Sequence, residues 1–178
     1  MKFGGTSVQD EEAIGRVISI VQSRLKEKPL VVVSALARVT RLLCDIAEEA
    51  EAQHSDSIKG MFVQLRERHI DLAKALLSSN PELLESCIRD VNARINRLET
   101  FANGVCQIGE LSPRSRARII STGELLSSTI IAYAFNARGI SCQWLDARKM
   151  ITTDDHYMSA RPDLEGTEAN VKRVIGLE

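Results

Sequence analysis

The hydrophobic positions near the start of the chain predict a helix followed by a buried strand. From Asp10 to Lys28, apolar residues recur every three or four positions, which places them on one stripe of an α-helix. The run Leu30 to Val33, after Pro29, does not alternate with polar residues, which is typical of a strand covered on both faces in a parallel sheet. With a very short strand before Gly4, these segments predict a β-loop-α-β unit.

The middle of the chain has helical periodicity and little clustering of β-branched residues. The helical segments are Thr40 to Glu51, Ser57 to Ser78, Pro81 to Val105 and Ser112 to Arg138. The second and third alternate four- and three-residue steps, and Asn80-Pro81 between them supplies a cap and a first-turn proline. These features predict an antiparallel helical hairpin with a coiled-coil-like seam.

The last part of the chain predicts a return to extended structure. Gly139 ends the preceding helix, Ser141 to Asp146 predicts a strand, and Ile151 to Asp155 predicts a second short extended segment. Gly166 to Glu178 predicts a helix that the end of the chain cuts short. Together the patterns predict one α/β domain with a large helical insertion at about residues 40–139.

Composition and charge agree with a soluble globular domain and exclude several classes of function. Of 178 residues, 44% are hydrophobic and 26% charged, enough for a core. Lys and Arg number 23 against 24 Asp and Glu, so the net charge of -1 favours neither nucleic acid nor an anionic membrane as a partner. No apolar run approaches the roughly 20 residues of a membrane span. Recognition of a phosphate must therefore be local.

The cysteines favour a reducing compartment. Cys44, Cys87, Cys106 and Cys142 are widely spaced, with no CxxC pair and no histidine at ligand spacing. This spacing indicates neither a zinc site nor a disulfide framework, and it predicts a cytoplasmic protein with cysteines in the core.

The glycine-rich segment Lys2 to Ser7 is the sharpest chemical feature. Gly4 and Gly5 let backbone N–H groups approach an anion, Thr6 and Ser7 add hydroxyl donors, and the N-terminus of the following helix adds its dipole. Such a loop suits a triphosphate, although two glycines can also simply form a tight turn. The P-loop pattern GxxxxGK[ST] is absent.

Two further segments carry candidate binding residues. Ser34 and Thr40 follow the buried strand, where ligands collect in open α/β sheets, although Thr40 could instead serve only as a helix cap. Gly123 lies inside a predicted helix, where it costs roughly 1 kcal/mol against alanine, so a close approach by a backbone or ligand is expected. Glu124 beside it is a lone acid in an apolar stretch.

These motifs together identify a family resemblance. The sequences KFGGTSV at Lys2 to Val8, VVVSALARVT at Val31 to Thr40, STGELLSS at Ser121 to Ser128, and DARKMITTDD with ARPD within Asp146 to Asp163 resemble the N-terminal part of aspartate kinases, in the amino acid kinase superfamily. The resemblance implies a carbamate kinase-like, three-layer α/β/α fold, here truncated.

The resemblance also implies an activity. Aspartate kinases transfer the γ-phosphoryl group of ATP, with Mg²⁺, to the β-carboxylate of L-aspartate, giving 4-phospho-L-aspartate. This is the first step toward lysine, threonine and methionine. The full-length protein is then expected to be a homo-oligomer in the cytoplasm that binds neither nucleic acid nor membrane.

Roles for individual residues follow from the same resemblance. It implies that Lys2 bridges the phosphates as the catalytic cation and that the backbone of Gly4, Gly5, Thr6 and Ser7 cradles the γ-phosphoryl group. The remaining implied contacts are from Ser34 and Thr40 to aspartate, and from Glu124 to its α-ammonium. No metal ligand is implied. Arg38 and Arg41 depart from the small, acidic or amide residues that many members have around Thr40.

The resemblance further implies that residues 1–178 are the N-terminal portion of a catalytic domain. The nucleotide-binding half and the regulatory ACT domains would lie outside it, so the isolated chain is expected to be inactive. One alternative is a non-catalytic helical interaction module with vestigial kinase residues. Another is a superfamily kinase for glutamate, acetylglutamate or a nucleotide, against which KFGGTSV and STGEL argue.

Other polar residues have structural interpretations. His69 is expected to be a packed, hydrogen-bonded histidine on a helix seam. Arg114, Arg116 and Arg118 predict a solvated helix start, and Asp154, Asp155 and His156 predict a turn and no metal site.

Overall fold

Two short parallel strands joined through a helix begin the fold in the computed structural model, which describes residues 1–157 and 159–176. Strand β1 (Lys2–Phe3) pairs with β2 (Val32–Val33), Lys2 opposite Val32 and Phe3 opposite Val33. A 3-10 turn over Gly5–Val8 and helix α1 (Glu11–Gln22) connect them. The predicted β-loop-α-β unit is confirmed.

Helix α1 is shorter than its hydrophobic pattern predicts. It ends at Gln22, and Leu25, predicted to lie on the buried stripe, is 42% exposed in a 3-10 turn. Lys28 closes this turn with a left-handed backbone, φ +48°, just before Pro29. The chain must reverse direction here to enter β2. The periodicity of apolar side chains does not predict where such a reversal begins.

The sheet is covered on one face by the described residues. Phe3 and Val33 pack against the hydrophobic core, whereas Lys2 is exposed and Val32 is 51% exposed. The prediction of a strand buried on both faces is therefore wrong for the described part of the chain. Alternating residues of a strand point to opposite faces, and the helices supply a partner for only one of them.

The helical insertion is a set of packed helices between the strands and the end of the chain. Its helices are α2 (Val39–Glu51), α3 (Ser55–Leu77), α4 (Pro81–Ile108), α5 (Pro113–Ile120) and α6 (Thr122–Ala137). The side chain of Asn80 caps α4 by accepting from the Leu83 N–H at 3.2 Å, and Pro81 is its first residue. Buried residues along α3 and α4 face each other across a short turn, so the predicted hairpin is confirmed.

The segment from Ser112 to Arg138, predicted as one helix, is divided at Ser121. Ser112 caps α5 as expected, accepting from the Ser115 N–H at 3.1 Å. At the junction, the hydroxyls of Ser121 and Thr122 both donate to the carbonyl oxygen of Arg118 at 3.2 Å. Hydroxyls that bond to the preceding turn often bend helices, so these residues mark the break.

Residues 141–146, predicted as a strand, form no strand in the described structure. Side chains hold this segment against α6: the Cys142 N–H donates to Asn136 Oδ1 at 3.1 Å, and Trp144 Nε1 donates to Ser128 Oγ at 2.9 Å. No neighbouring strand among the described residues offers it a backbone ladder. A groove of about 850 Å³ separates it from β2. We call this space the β2 groove.

A hairpin and a last helix complete the described chain. Strands β3 (Thr152–Thr153) and β4 (Pro162–Asp163) pair antiparallel, which confirms the extended segment predicted near Ile151. Helix α7 (Leu164–Ile175) begins two residues before the predicted start and ends at Gly176, whose φ is +71°. The predicted helix positions Leu177 and Glu178 lie outside the described residues.

Several polar residues have the structural roles expected of them. Asp154 accepts from the backbone N–H groups of His156 and Arg161, which confirms a turn. Arg114 is exposed at the start of α5, but Arg116 forms ion pairs with Glu48 and Glu51 of α2, so a fully solvated start is wrong there.

The core is aliphatic and includes two of the cysteines. Cys87 and Cys106 are buried, and burial raises the pKa of the Cys87 thiol to about 12. All four cysteines are free thiols. Within the described residues, the structure contains no helix with the length and hydropathy of a membrane span.

His69 is fully buried on α3. Its Nδ1 lies 2.7 Å from the carbonyl oxygen of Leu65, which confirms a packed, hydrogen-bonded histidine. Burial disfavours the charged imidazolium and lowers the pKa of His69 from 6.5 to about 4. The folded chain therefore holds this ring neutral at pH values where the unfolded chain protonates it.

Acid should destabilise the fold through His69. Since its pKa is lower in the folded state, the free energy of unfolding falls as pH falls from about 6.5 toward 4, by about 2 kcal/mol by pH 4.5. Urea unfolding of the wild type and of His69→Gln at pH 7 and 4.5 measures this. The loss between the two pH values should be smaller in the variant by about that amount, and equal losses would contradict the prediction.

Candidate functional site

Three segments that are far apart in sequence meet at Ala35, directly after β2. The backbone N–H of Ala35 points to the carboxylate of Glu124, with 3.4 Å between the nitrogen and Oε1. The carbonyl oxygen of Ala35 lies 3.0 Å from the position that a Cβ on Gly5 would take. The Cβ of Ala35 lies 2.8 Å from the position that a Cβ on Gly123 would take. The glycine turn, the loop after β2 and the start of α6 therefore form one site.

The glycine turn presents open space at Gly4 and close packing at Gly5. A Cβ on Gly4 would meet nothing within 4 Å, whereas one on Gly5 would press on Ala35. The Ser7 N–H donates to the Gly4 carbonyl oxygen at 2.9 Å, which fixes the turn. Thr6 is exposed and Ser7 half-buried. This side of the turn can admit a ligand close to the backbone.

The helix dipole expected beside the glycines is not available there. Helix α1 begins at Glu11, after the 3-10 turn, and its N-terminus is capped by Asp10, which accepts from the Ala13 N–H at 2.8 Å. Glu11 and Glu12 add negative charge to the same end. Carboxylates of α1 and its cap already satisfy the positive end of this helix, so the prediction that its dipole assists the glycine turn is wrong.

Lys2 supplies positive charge on the open face of the sheet. It lies opposite Val32 in the parallel register, and its side chain is exposed. It forms no ion pair with any residue that the structure describes. Its charge is therefore available to an anionic ligand at the start of the glycine turn.

Both backbone groups of Ser34, at the end of β2, are hydrogen-bonded. Its N–H donates to the Phe3 carbonyl oxygen at 3.1 Å, and its carbonyl oxygen accepts from Ser127 Oγ at 2.8 Å. Ser127 is fully buried and ties α6 to the end of β2. Ser127 is not among the binding residues that the sequence predicts. Its only signal was a polar residue one turn after Gly123 on an apolar helix.

Thr40 lies in the first turn of α2 and is exposed. The cap position belongs to Arg38, which precedes the helix with φ +68°, so the alternative of Thr40 as only a cap is wrong. Arg41 in the same turn is paired with Asp45 at 2.9 Å.

Glu124 is a half-buried carboxylate without a positive partner. Its carboxylate lies near the Ala35 N–H, and no Lys, Arg or His side chain of the described residues lies within ion-pair distance of it. Gly123 makes its placement possible, because a Cβ there would also lie 3.1 Å from Leu43 and 3.3 Å from Val39. The expected close approach at Gly123 is confirmed, and it is made by protein.

The geometry defines a class of site. A free lysine beside an open glycine turn can take an anion, and the half-buried, unpaired carboxylate of Glu124 at the start of α6 can take a cation. Glu124 and the glycine turn meet at Ala35, just past the carboxyl end of β2, where ligands bind in α/β sheets, and Lys2 precedes the turn on β1. Such an arrangement in an α/β protein could accommodate a small molecule that carries both signs of charge.

Comparison with known proteins agrees with this class. The amino acid kinase family matches residues 1–175, and the chain belongs to that family. An aspartokinase of Chlamydia muridarum is 34% identical over 164 residues, which cover 92% of this chain and 33% of that protein. Lysine-sensitive aspartokinase 3 of Escherichia coli is 32% identical over 167 residues, which cover 92% of this chain and 34% of that protein.

Solved structures confirm the fold. Escherichia coli aspartokinase III in complex with lysine and aspartate superposes with a TM-score of 0.84 at 26% identity, over 98% of this chain and 37% of that one. The same enzyme with aspartate and ADP superposes with a TM-score of 0.82. The predicted α/β fold of the amino acid kinase type is confirmed. The chain spans only about a third of the length of these aspartokinases.

Alanine at Gly123 should disrupt the site by steric clash. A Cβ 2.8 Å from that of Ala35 must displace the loop after β2, at a cost of about 1–3 kcal/mol in free energy of unfolding. Gly60→Ala is the matched control, because a Cβ at this position in α3 meets nothing within 4 Å. Chemical denaturation should show it neutral or stabilising by up to about 1 kcal/mol. Equal effects at the two glycines would contradict this packing.

Proposed function

We propose that this chain is the amino-acid-binding portion of an ATP-dependent aspartate kinase. The observation that carries the proposal is the half-buried Glu124, unpaired in the described structure and held beside the glycine turn by the contact at Ala35. In this proposal residues 1–178 form the N-terminal portion of the catalytic domain. Residues of about 40–139 are its helical insertion.

The amino acid binds at the Glu124 end of the site. A half-buried carboxylate without a cation is costly, and the α-ammonium of an amino acid supplies the missing charge. Such a partner also selects an amino acid over a simple dicarboxylate. Ser34, held at the end of β2, and Thr40, exposed at the start of α2, supply hydroxyls for the rest of aspartate. The substrate's β-carboxylate then points toward the glycine turn.

The phosphates of ATP bind at the other end. Gly4 leaves the space that a Cβ would fill, and Lys2 offers an unpaired charge, so the residues present fit a phosphoryl group. The backbone of Gly5, Thr6 and Ser7 completes the cradle. The described residues contain no group of three or more acidic, histidine or cysteine side chains that could hold a metal. In the proposal, Mg²⁺ would accompany the nucleotide and would offset charge on its phosphates.

The reaction needs alignment more than acid-base chemistry. A β-carboxylate with an ordinary pKa of about 3.9 is ionised at neutral pH, so no general base is required. Its oxygen forms a bond to the γ-phosphorus as the bond to ADP breaks, giving 4-phospho-L-aspartate and ADP. Two anions must approach each other, and Lys2 reduces their repulsion. The product would enter lysine, threonine and methionine synthesis.

A complete enzyme would need more chain than these residues. The exposed Lys2 and Val32 face of the sheet and the β2 groove are surfaces that further structure would cover. In the proposal, a nucleotide-binding half and regulatory ACT domains belong to the longer, homo-oligomeric, cytoplasmic protein. The isolated chain then binds aspartate but catalyses little.

The chain should bind L-aspartate through Glu124. Calorimetric titration should show binding to the wild type, and Glu124→Gln should weaken it by about tenfold or more, because a charge-assisted hydrogen bond is lost. Glu67→Gln is the control, since Glu67 is exposed on α3. Succinate, which lacks the ammonium, should bind both proteins equally weakly. No binding of aspartate by the wild type would favour a helical interaction module.

Catalysis by the isolated chain should be negligible. An ATP-dependent aspartyl hydroxamate assay should give no turnover above that of Lys2→Ala. A robust rate that Lys2→Ala abolishes and Lys26→Ala preserves would show that the chain is sufficient for catalysis. That outcome would overturn the claim of inactivity and support the kinase assignment.

A further inference from the structure

One peptide group after β2 is contacted at both of its polar ends by α6. It joins Ser34 to Ala35 and consists of the Ser34 carbonyl and the Ala35 N–H. The carbonyl oxygen accepts from Ser127 Oγ at 2.8 Å. The N–H points to Oε1 of Glu124, with 3.4 Å between nitrogen and oxygen. Glu124 and Ser127 are three residues apart, so they lie on the same face of the helix.

The Ser34 carbonyl needs a side-chain donor because the strand pairing ends beside it. The Ser34 N–H still donates to the Phe3 carbonyl oxygen at 3.1 Å. After Phe3, the chain leaves β1 and enters the 3-10 turn, so it does not extend the strand. In the described part of the chain, the donor to the Ser34 carbonyl is the hydroxyl of Ser127, which is fully buried. Without it, a half-buried carbonyl would lose its partner.

The Ser127 hydroxyl also contacts the backbone of Glu124. Its oxygen lies 3.2 Å from the Glu124 carbonyl oxygen. A serine hydroxyl has one proton, so the two contacts form a three-centre hydrogen bond whose shorter arm reaches Ser34. A peptide group is planar, so a fixed carbonyl oxygen also fixes the direction of the N–H on its other side. Ser127 therefore determines which end of this peptide group faces the Glu124 carboxylate.

We propose that Ser127 is a positioning residue for the ammonium group of the substrate, and that it acts through the Ser34–Ala35 peptide group and Glu124. This inference rests on the proposed function. With its carbonyl oxygen bound by Ser127, the peptide presents its N–H to one oxygen of the Glu124 carboxylate. The other carboxylate oxygen is then left to accept from the α-ammonium of aspartate. A peptide group turned the other way would present its own oxygen to the carboxylate and repel it.

Ser128 supplies a matched control on the same helix. It is the next residue and also a serine, and its hydroxyl accepts from Trp144 Nε1 at 2.9 Å. That hydrogen bond holds residues 141–146 to α6 and does not involve the Ser34–Ala35 peptide group. Loss of either hydroxyl should therefore destabilise the fold to a similar extent, whereas only the loss of the Ser127 hydroxyl should change the binding of aspartate.

The test measures binding and stability side by side. By calorimetric titration, Ser127→Ala should weaken the binding of L-aspartate by about three- to tenfold, and Ser128→Ala should bind like the wild type. Both variants should lower the Tm by about 2–4 °C. Succinate has no ammonium, so Ser127→Ala should bind it like the wild type. In the Glu124→Gln background, Ser127→Ala should weaken aspartate binding by less than about twofold, because both residues act on one contact.

Two results would overturn the role of Ser127 alone. One is a Ser127→Ala variant with a lowered Tm and the aspartate affinity of the wild type, which would make its role solely structural. The other is a double variant in which the two losses of affinity multiply in full, which would show that Ser127 does not act through Glu124. In both cases, weakened binding by Glu124→Gln would leave the proposed function standing. If the wild type binds no aspartate, the proposed function and this inference both fail.

Discussion

The packing of α6 against the end of β2 determines the shape of the candidate site. Gly123 brings the helix so close that a single added carbon would lie 2.8 Å from the side chain of Ala35. Ser127 closes the same contact with a buried hydrogen bond to the Ser34 carbonyl oxygen. Gly123, which has no side chain, and the hydroxyl of Ser127 one turn later thus place the Glu124 carboxylate beside the strand. A glycine here costs helix stability, and the tight contact accounts for its presence.

Recognition of a charged ligand by this protein depends on individual side chains and not on its net charge. With a net charge of -1, the chain has no general attraction for anions, and any phosphate must be recognised by single groups. Among the described residues, Lys2, Arg38 and Glu124 are charged groups without an ion-pair partner, at a place where three segments meet. Most other charged residues around them are paired or lie on solvated helix faces, as Arg41 with Asp45 and Arg116 with Glu48 illustrate.

Much of the architecture could be predicted from local patterns, and the errors have a common cause. The helices of the insertion follow from apolar periodicity and from caps such as Asn80, both of which depend on nearby residues. The close approach at Gly123 was predictable because glycine is unfavourable inside a helix. In contrast, the end of α1 before Leu25, the break at Ser121 and the unpaired segment 141–146 depend on tertiary context. The left-handed backbone of Arg38 could not be read from its residue type, which gives no warning of positive φ.

The position of α6 also bears on whether the helical insertion is an independent interaction module. This helix packs against α3 and α4 within the insertion, and it packs against β2 through Gly123 and Ser127. The helix that anchors the insertion therefore carries Glu124 as well. A module that only bound a partner through its helices would need neither the steric gap at Gly123 nor a carboxylate left unpaired beside a strand. Under the proposed function, the insertion is the support that holds Glu124 at one end of the site against the glycine turn at the other.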